Sequence, residues 1–160
     1  MRVKNVVDED FVNYKKPSMF IGTIQCIGKC CIEQNVSFDI CQNHEWRSSK
    51  TILVDDKKII ERYLNNPITK AIIFGGLEPF EQFDEVSSFI RRLRVENGCD
   101  DDIVIYTGYN KSEIEDKIAT LSQYKNIIVK FGRYLINNKK RYDEVLGIEL
   151  ASENQYAERL

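Results

Sequence analysis

Apolar residues are concentrated in short runs along this chain, and segments with helical periodicity separate them. Each run is bounded by glycine, proline or polar turn residues, which is typical of buried strands. The four clearest runs are residues 18–24, 71–74, 103–106 and 127–131. A less regular run at 145–150 is a possible fifth strand.

Helices are predicted between these strands. Asp55 or Asp56 can cap a helix by accepting hydrogen bonds from its free N–H groups. A second helix is predicted at 83–95, where apolar residues recur with a helical period. Asn110 with Glu113 three positions later has the form of a capping box and predicts the start of a third.

Strands that alternate with helices indicate parallel β-α units joined by right-handed crossovers. With 160 residues the chain is too short for a closed barrel of eight units, which needs about 250 residues. We therefore predict an α/β fold: an open, partial β/α barrel with four to five parallel β-α units. Residues 18–160 would form its single domain, and 1–17 an N-terminal extension with room for one short edge strand.

In open α/β sheets and barrels, ligands bind at the carboxyl ends of the parallel strands. The loops that follow Ile24, Phe74 and Tyr106 leave the predicted sheet at those ends. We expect the three loops to meet at one rim.

Composition excludes several classes of function. Charged residues make up 30% of the chain and the net charge is -2, which does not suggest a nucleic acid partner. The first residues do not resemble a signal peptide, and no apolar run approaches the ~18 residues of a membrane span. We therefore expect a cytoplasmic protein without a membrane partner. In that reducing compartment, five cysteines argue for metal binding, catalysis or core packing rather than for disulfides.

Four of the five cysteines lie within sixteen positions: Cys26, Cys30, Cys31 and Cys41. Thiolates are soft ligands that favour iron-sulfur clusters or zinc. Three of them would leave one iron of a four-iron cluster without a protein ligand. The alternatives are a structural zinc site with His44 as its fourth ligand and ordinary buried thiols.

The loop after the second predicted strand could also contact a ligand. Gly75 and Gly76 carry no side chains, so a ligand can approach the backbone at the strand end closely. Glu78 adds a carboxylate beside that opening, and a carboxylate suits an ammonium group.

The order of these motifs resembles that of a known superfamily. The cysteine loop comes first, Gly-Gly-Leu-Glu-Pro follows at 75–79, and Tyr-Thr-Gly-Tyr at 106–109 comes third. This order resembles the radical S-adenosylmethionine enzymes, and within them the small activating proteins of anaerobic ribonucleotide reductase. The resemblance covers residues 18–156. Further matches are Cys41-Gln42-Asn43 with Trp46, Gly132-Arg133-Tyr134, and Asn154-Gln155.

The chain departs from the family pattern at the cluster motif, which is Cys-x3-Cys-x2-Cys. Cys26 and Cys30 have the first spacing, but Glu33 stands where the third cysteine is expected. The next candidate is Cys41, and the residues after it match those that follow a third ligand. We therefore interpret 32–40 as mostly an insertion, since each doubling of a loop adds only ~0.6 kcal/mol of closure entropy. Cys31 remains a rival to Cys30.

The resemblance implies that Cys26, Cys30 and Cys41 hold a 4Fe-4S cluster whose open iron binds S-adenosylmethionine. Gly75, Gly76 and Glu78 would lie near the methionine ammonium group. The residues that the resemblance assigns to cofactor binding are Gly75, Gly76, Glu78, Tyr106, Thr107, Gly108 and Asn43.

The function implied is reductive cleavage of S-adenosylmethionine to a 5′-deoxyadenosyl radical. The substrate would be a glycine Cα–H of a large glycyl-radical enzyme, anaerobic ribonucleotide reductase, and a flavodoxin- or ferredoxin-type protein would supply the electron. Two alternatives stay open: a non-catalytic metal-binding module of the same fold, and a radical enzyme that acts on another peptide or nucleotide substrate.

Overall fold

A six-stranded mixed sheet lies at the centre of the computed structural model, which describes residues 1–160. The ten strands are β1 Arg2–Val3, β2 Val6–Asp10, β3 Ser18–Gly22, β4 Ile52–Leu53, β5 Ala71–Gly75, β6 Asp102–Tyr106, β7 Ile127–Phe131, β8 Arg141–Asp143, β9 Ile148–Leu150 and β10 Tyr156–Arg159. The order in the main sheet is β10-β7-β6-β5-β3-β2. Its four inner strands pair in parallel, whereas β2 and β10 pair antiparallel at the two edges.

Five α-helices connect the strands: α1 Lys29–Glu33, α2 His44–Ser48, α3 Asp56–Leu64, α4 Phe83–Arg91 and α5 Glu115–Leu121. The predicted caps are confirmed. The Asp55 carboxylate accepts a 3.0 Å hydrogen bond from the backbone N–H of Lys57 at the start of α3, and Asn110 with Glu113 forms a capping box. Two boundaries differ from the prediction. Arg92–Glu96 forms a turn of π-helix at the end of the helix predicted at 83–95, and the capping box begins a 3-10 turn, Lys111–Glu113, that precedes α5.

Apolar side chains cover both faces of the sheet, as expected for parallel strands. Because successive side chains of a strand point to opposite faces, Ile72 and Phe74 join the larger core with α3, α4 and α5, whereas Ala71 and Ile73 belong to a smaller core on the other face. Each large side chain that is fully buried stabilises the fold by roughly 1.5–3 kcal/mol. Apolar side chains therefore pack against both faces of the sheet and support the strands whose carboxyl ends lead into the predicted site loops.

The prediction of a possible fifth strand of the sheet at 145–150 is wrong. Only Ile148–Leu150 is extended, and it pairs with β8 in a separate two-stranded hairpin. Leu146 and Leu150 bury themselves in the smaller core, so this segment covers a face of the sheet instead of extending it. The edge position beside β7 is taken by β10.

The N-terminal residues contribute more structure than one edge strand. β2 forms an edge of the main sheet, β1 pairs with β4, and Val3 is fully buried in the larger core. The sheet is open, because its edge strands β2 and β10 do not pair with each other. The partial barrel stays a prediction.

None of the helices has both the length and the apolar character needed to span a membrane.

Candidate metal centre

A cavity of about 430 Å³ lies at the carboxyl ends of the parallel strands. All ten residues that the sequence singled out for the cluster and its ligand line it: Cys26, Cys30, Cys41, Asn43, Gly75, Gly76, Glu78, Tyr106, Thr107 and Gly108. Cys31 lines the cavity as well. The structure therefore brings three segments together, as the order of the strands predicts. They are the cysteine loop (residues 26–41), the glycine loop (75–79) and the Thr-Gly turn (107–108).

The three expected ligands stand on different parts of the loop between β3 and α2. Cys26 follows β3, Cys30 belongs to α1, and Cys41 ends a short 3-10 turn. The backbone N–H of Gly28 donates a 3.3 Å hydrogen bond to Cys26 Sγ. Burial raises the pKa of the Cys26 thiol to about 12. A bound metal ion reverses this effect, because it stabilises the thiolate directly.

The environment of Cys30 is more electropositive. Burial raises the pKa of its thiol, but a hydrogen bond from the Tyr134 backbone and the charges of Arg133 and Lys130 oppose that rise. These groups favour the thiolate, which is the form that binds metal.

The sulfur donors that line the cavity are Cys26, Cys30, Cys31 and Cys41. The chain contains no group of three or more His, Cys, Asp or Glu side chains arranged to hold one metal ion. His44 Nδ1 lies 3.0 Å from the Cys41 carbonyl oxygen, and His44 does not line the cavity. A 4Fe-4S cluster uses thiolates that bind separate irons, and four cysteines line the cavity. The three that the sequence predicts as ligands, Cys26, Cys30 and Cys41, would leave one iron open.

Glu78 joins the loops after β5 and β6. Its Oε1 accepts hydrogen bonds from the Thr107 hydroxyl at 2.7 Å and from the Phe80 N–H at 3.1 Å, and its Oε2 accepts from the Gly108 N–H at 2.9 Å. Burial raises the pKa of Glu78 to about 7, although these three hydrogen bonds favour the charged form. A carboxylate can accept about four hydrogen bonds, so one position remains for a ligand donor.

Gly76 provides space for a side chain of the protein as well as for a ligand. Its φ is +81°, and a Cβ at this position would lie 2.5 Å from Trp46 Cζ3. Trp46 also makes an edge-to-face contact with Phe20, with ring centroids 5.8 Å apart. Trp46 therefore packs the end of the cysteine loop against the sheet.

Tyr106 and Asn43 have less specific positions. The Tyr106 hydroxyl donates to the Asn13 carbonyl oxygen, so it already has a partner in the protein. Asn43 precedes α2, and its side chain makes no capping hydrogen bond.

Sequence reasoning missed Lys130, which is 7% exposed and lines the same cavity. Its Nζ lies 3.2 Å from the Gly132 carbonyl oxygen and 3.5 Å from that of Thr107, and no carboxylate pairs with it. Burial lowers the pKa of Lys130 to about 8. Its position in the apolar run Ile-Ile-Val-Lys-Phe is the signal that could have identified it. Inner strands are buried on both faces, so a lysine in such a run is unusual.

Comparison with known proteins assigns the chain to a family. The family model described as a 4Fe-4S single cluster domain matches residues 24–156, a span that contains every cavity residue discussed above except Asn13 and Phe20. Searches of curated proteins and of solved structures give no match. The chain belongs to the 4Fe-4S single cluster domain family and is an iron-sulfur protein.

Proposed function

We propose that this iron-sulfur protein is a radical S-adenosylmethionine enzyme that generates a glycyl radical on anaerobic ribonucleotide reductase. One observation carries the proposal: Cys26, Cys30, Cys31 and Cys41, the Glu78 carboxylate and the Lys130 ammonium group line a single cavity at the carboxyl ends of parallel strands. S-adenosylmethionine has an amino group and a carboxylate that match these two charges. The order of the motifs along the chain supports the same family.

The proposed cluster ligands are Cys26, Cys30 and Cys41. When bound and reduced, the cluster supplies one electron to the sulfonium of S-adenosylmethionine, which yields methionine and a 5′-deoxyadenosyl radical. The residues of the chain orient the cofactor and exclude water from the cavity.

Two charged side chains would orient the methionine part of the cofactor. The Lys130 ammonium group lacks a carboxylate partner in the protein, and a ligand carboxylate would supply one. Glu78 has one acceptor position left and would accept a hydrogen bond from the ligand ammonium. Glu78 also accepts hydrogen bonds from Thr107 and Gly108. The same carboxylate would therefore position the loop after β6 relative to the ligand.

Apolar side chains are also among the lining residues of the cavity. They include Ile136, Ile148 and Leu150, and Glu149 lines it between the last two. Apolar walls protect a carbon radical from water and from side reactions. A backbone glycine of a partner protein is a small substrate that fits this setting, and a flavodoxin- or ferredoxin-type protein is the proposed electron donor.

The test is anaerobic reconstitution of the protein with iron and sulfide, followed by reduction and addition of S-adenosylmethionine. We expect 5′-deoxyadenosine in chromatographic analysis, and its loss in Cys41→Ser. With the large reductase present, electron paramagnetic resonance (EPR) should also detect a glycyl radical.

The two parts of the proposal fail separately. An intact, reducible cluster that forms no 5′-deoxyadenosine would exclude radical chemistry and favour a non-catalytic module. Formation of 5′-deoxyadenosine without a glycyl radical on the reductase would retain the cofactor assignment and reject this substrate, in favour of another peptide or a nucleotide.

A further inference from the structure

We propose that Arg133 is a positioning residue that fixes the rotation of α1 and so makes Cys30, and not Cys31, the second ligand of the cluster. The proposal deepens the ligand set given above and rests on it. It concerns the protein's own contacts, which hold α1 at both ends.

Adjacent cysteines on a helix cannot present their sulfurs to the same position. One residue advances an α-helix by about 100°, so Cys30 and Cys31 point in clearly different directions. Both cysteines line the cavity, but Cys31 Sγ would reach the position that Cys30 Sγ now has only if α1 rotated by that angle. The groups that resist this rotation therefore select the ligand.

Arg133 connects α1 to two other loops. Its guanidinium binds Glu33 in the two-pronged manner, with Nε 3.0 Å from Oε2 and Nη2 2.9 Å from Oε1. Nη2 also donates to Glu113 Oε1 at 2.8 Å, and Nη1 donates to the Gly108 carbonyl oxygen. The Arg133 side chain is only 7% exposed, whereas the side chains of Glu33 and Glu113 are 51% and 27% exposed.

Further contacts hold the two ends of α1. At its start, Lys29 Nζ donates to Glu113 Oε1 at 2.8 Å. After its end, Gln34 Nε2 donates to the carbonyl oxygens of Cys30 at 2.7 Å and Tyr134 at 2.8 Å, and Gln34 Oε1 accepts from the Ile136 N–H at 2.9 Å. A rotation of 100° would break the Lys29, Glu33 and Gln34 contacts together.

In the rotation that these contacts fix, Cys30 faces the rim of the sheet. A Cβ on Gly108 would lie 3.2 Å from Cys30 Sγ and 3.7 Å from Glu78 Oε2, so the thiol lies against the Thr-Gly turn beside the Glu78 carboxylate. Cys31 is 5% exposed, and its carbonyl oxygen accepts from the Val36 N–H within the inserted segment.

The same contacts explain Glu33, which stands where the family pattern has a cysteine. Both of its carboxylate oxygens are bound to Arg133, so Glu33 is an anchor of α1 and not a substitute ligand. Glu33 lies near the start of the inserted segment 32–40, three residues after Cys30.

The experiment compares iron content after anaerobic purification in two backgrounds. With Arg133 present, we expect Cys30→Ser to lose most of its iron and Cys31→Ser to keep it. With Arg133→Met, α1 can rotate, so Cys30→Ser should regain a large part of the iron through Cys31. Arg133→Met alone should alter the EPR spectrum of the reduced cluster, whereas Arg141→Met, which changes an exposed arginine, should not.

Two further variants separate positioning from folding. Glu33→Gln removes the charge of the more exposed partner and should reproduce the effect of Arg133→Met if the latter fails to fold. Arg133→Lys keeps the charge without the two-pronged geometry and should not restore the wild-type spectrum.

The inference is overturned if Cys31→Ser loses iron while Cys30→Ser keeps it in the presence of Arg133. It is also overturned if the contrast between the two cysteines is the same after Glu33→Gln. Iron content and EPR spectra are measured without S-adenosylmethionine, so failure of the proposed radical chemistry would leave these results unaffected.

Discussion

The Thr107 hydroxyl donates a 2.7 Å hydrogen bond to the Glu78 carboxylate, which joins two loops that are 29 residues apart in the chain. Both residues line the cavity, and the bond between them is buried. Because Gly108 donates to the other oxygen of the same carboxylate, one side chain sets the spacing of the loops after β5 and β6.

Loss of this carboxylate should destabilise the protein. Glu78→Ala leaves the Gly108 N–H and the Thr107 hydroxyl without their acceptor, and each unsatisfied buried group costs ~1–3 kcal/mol. We expect the free energy of unfolding, measured by denaturant titration, to fall by at least ~1 kcal/mol. Glu61→Ala on the exposed face of α3 should change it little. An equal effect of both substitutions would contradict a linking role for Glu78.

The stability of the cluster-free protein should depend on the titration of Glu78. Its pKa rises on folding from an ordinary value of 4.5 to about 7, so the folded state binds more protons between these pH values. The contribution of Glu78 to the free energy of unfolding therefore decreases as pH rises from 4.5 to 7. Denaturant titrations of wild type and Glu78→Gln under reducing conditions should show that decrease only in wild type. Parallel pH profiles would show that Glu78 does not titrate in this range.

We expect that Gly76 cannot be replaced for two reasons: its φ is positive, and Trp46 lies close to it. Gly76→Ala and Gly98→Ala both place a side chain at positive φ, +81° and +63°, which costs roughly 1–2 kcal/mol. Only the Cβ at Gly76 would meet Trp46, whereas nothing lies within 4 Å of the Cβ at Gly98. Gly76→Ala should therefore lower the thermal midpoint more and change Trp46 fluorescence. Equal losses would show that Trp46 adjusts freely.

Lys130 is predicted to bind the carboxylate of S-adenosylmethionine. Lys130→Met removes a charge-assisted hydrogen bond of ~1.5–3 kcal/mol, so affinity should fall about 10- to 100-fold in equilibrium binding to the reconstituted protein. Lys125→Met is the control. That lysine is exposed, pairs with Asp100 and does not line the cavity. Unchanged affinity in Lys130→Met would remove Lys130 from the proposed ligand site.

The cysteines of the cavity should differ from Cys99 in their effect on iron content. Cys26→Ser and Cys41→Ser each remove a proposed ligand, and most of the iron should be lost on anaerobic purification. Cys99 lies next to Arg94, which donates to its carbonyl oxygen, and it does not line the cavity. Cys99→Ser should keep the wild-type iron content. Retention of iron in Cys41→Ser would place the third ligand elsewhere.

The parts of the fold that the sequence predicts correctly are those determined by local chemistry. The Asp55 cap requires only a carboxylate before a periodic segment, and the Asn110–Glu113 box requires only a spacing of three. The four inner strands are recognisable because both of their faces are buried, so they are continuous apolar runs.

Tertiary context decided the parts that the sequence did not reveal. β10 consists of Tyr-Ala-Glu-Arg, which has no apolar run, and it joins the sheet through backbone pairing with β7. The segment 145–150 resembles a strand because Leu146 and Leu150 are buried, but they are buried by covering the sheet. Glu33 and Arg133 are 100 residues apart, and no local pattern connects them.

EPR spectroscopy of the reduced, reconstituted protein, recorded without and with S-adenosylmethionine, tests the central claim most directly. If three cysteines hold the cluster and the cofactor's amino and carboxylate groups bind its open iron, addition of the cofactor should shift the g-values of the cluster signal. Cluster signals with the same g-values in both samples, at cofactor concentrations that saturate binding, would contradict the account.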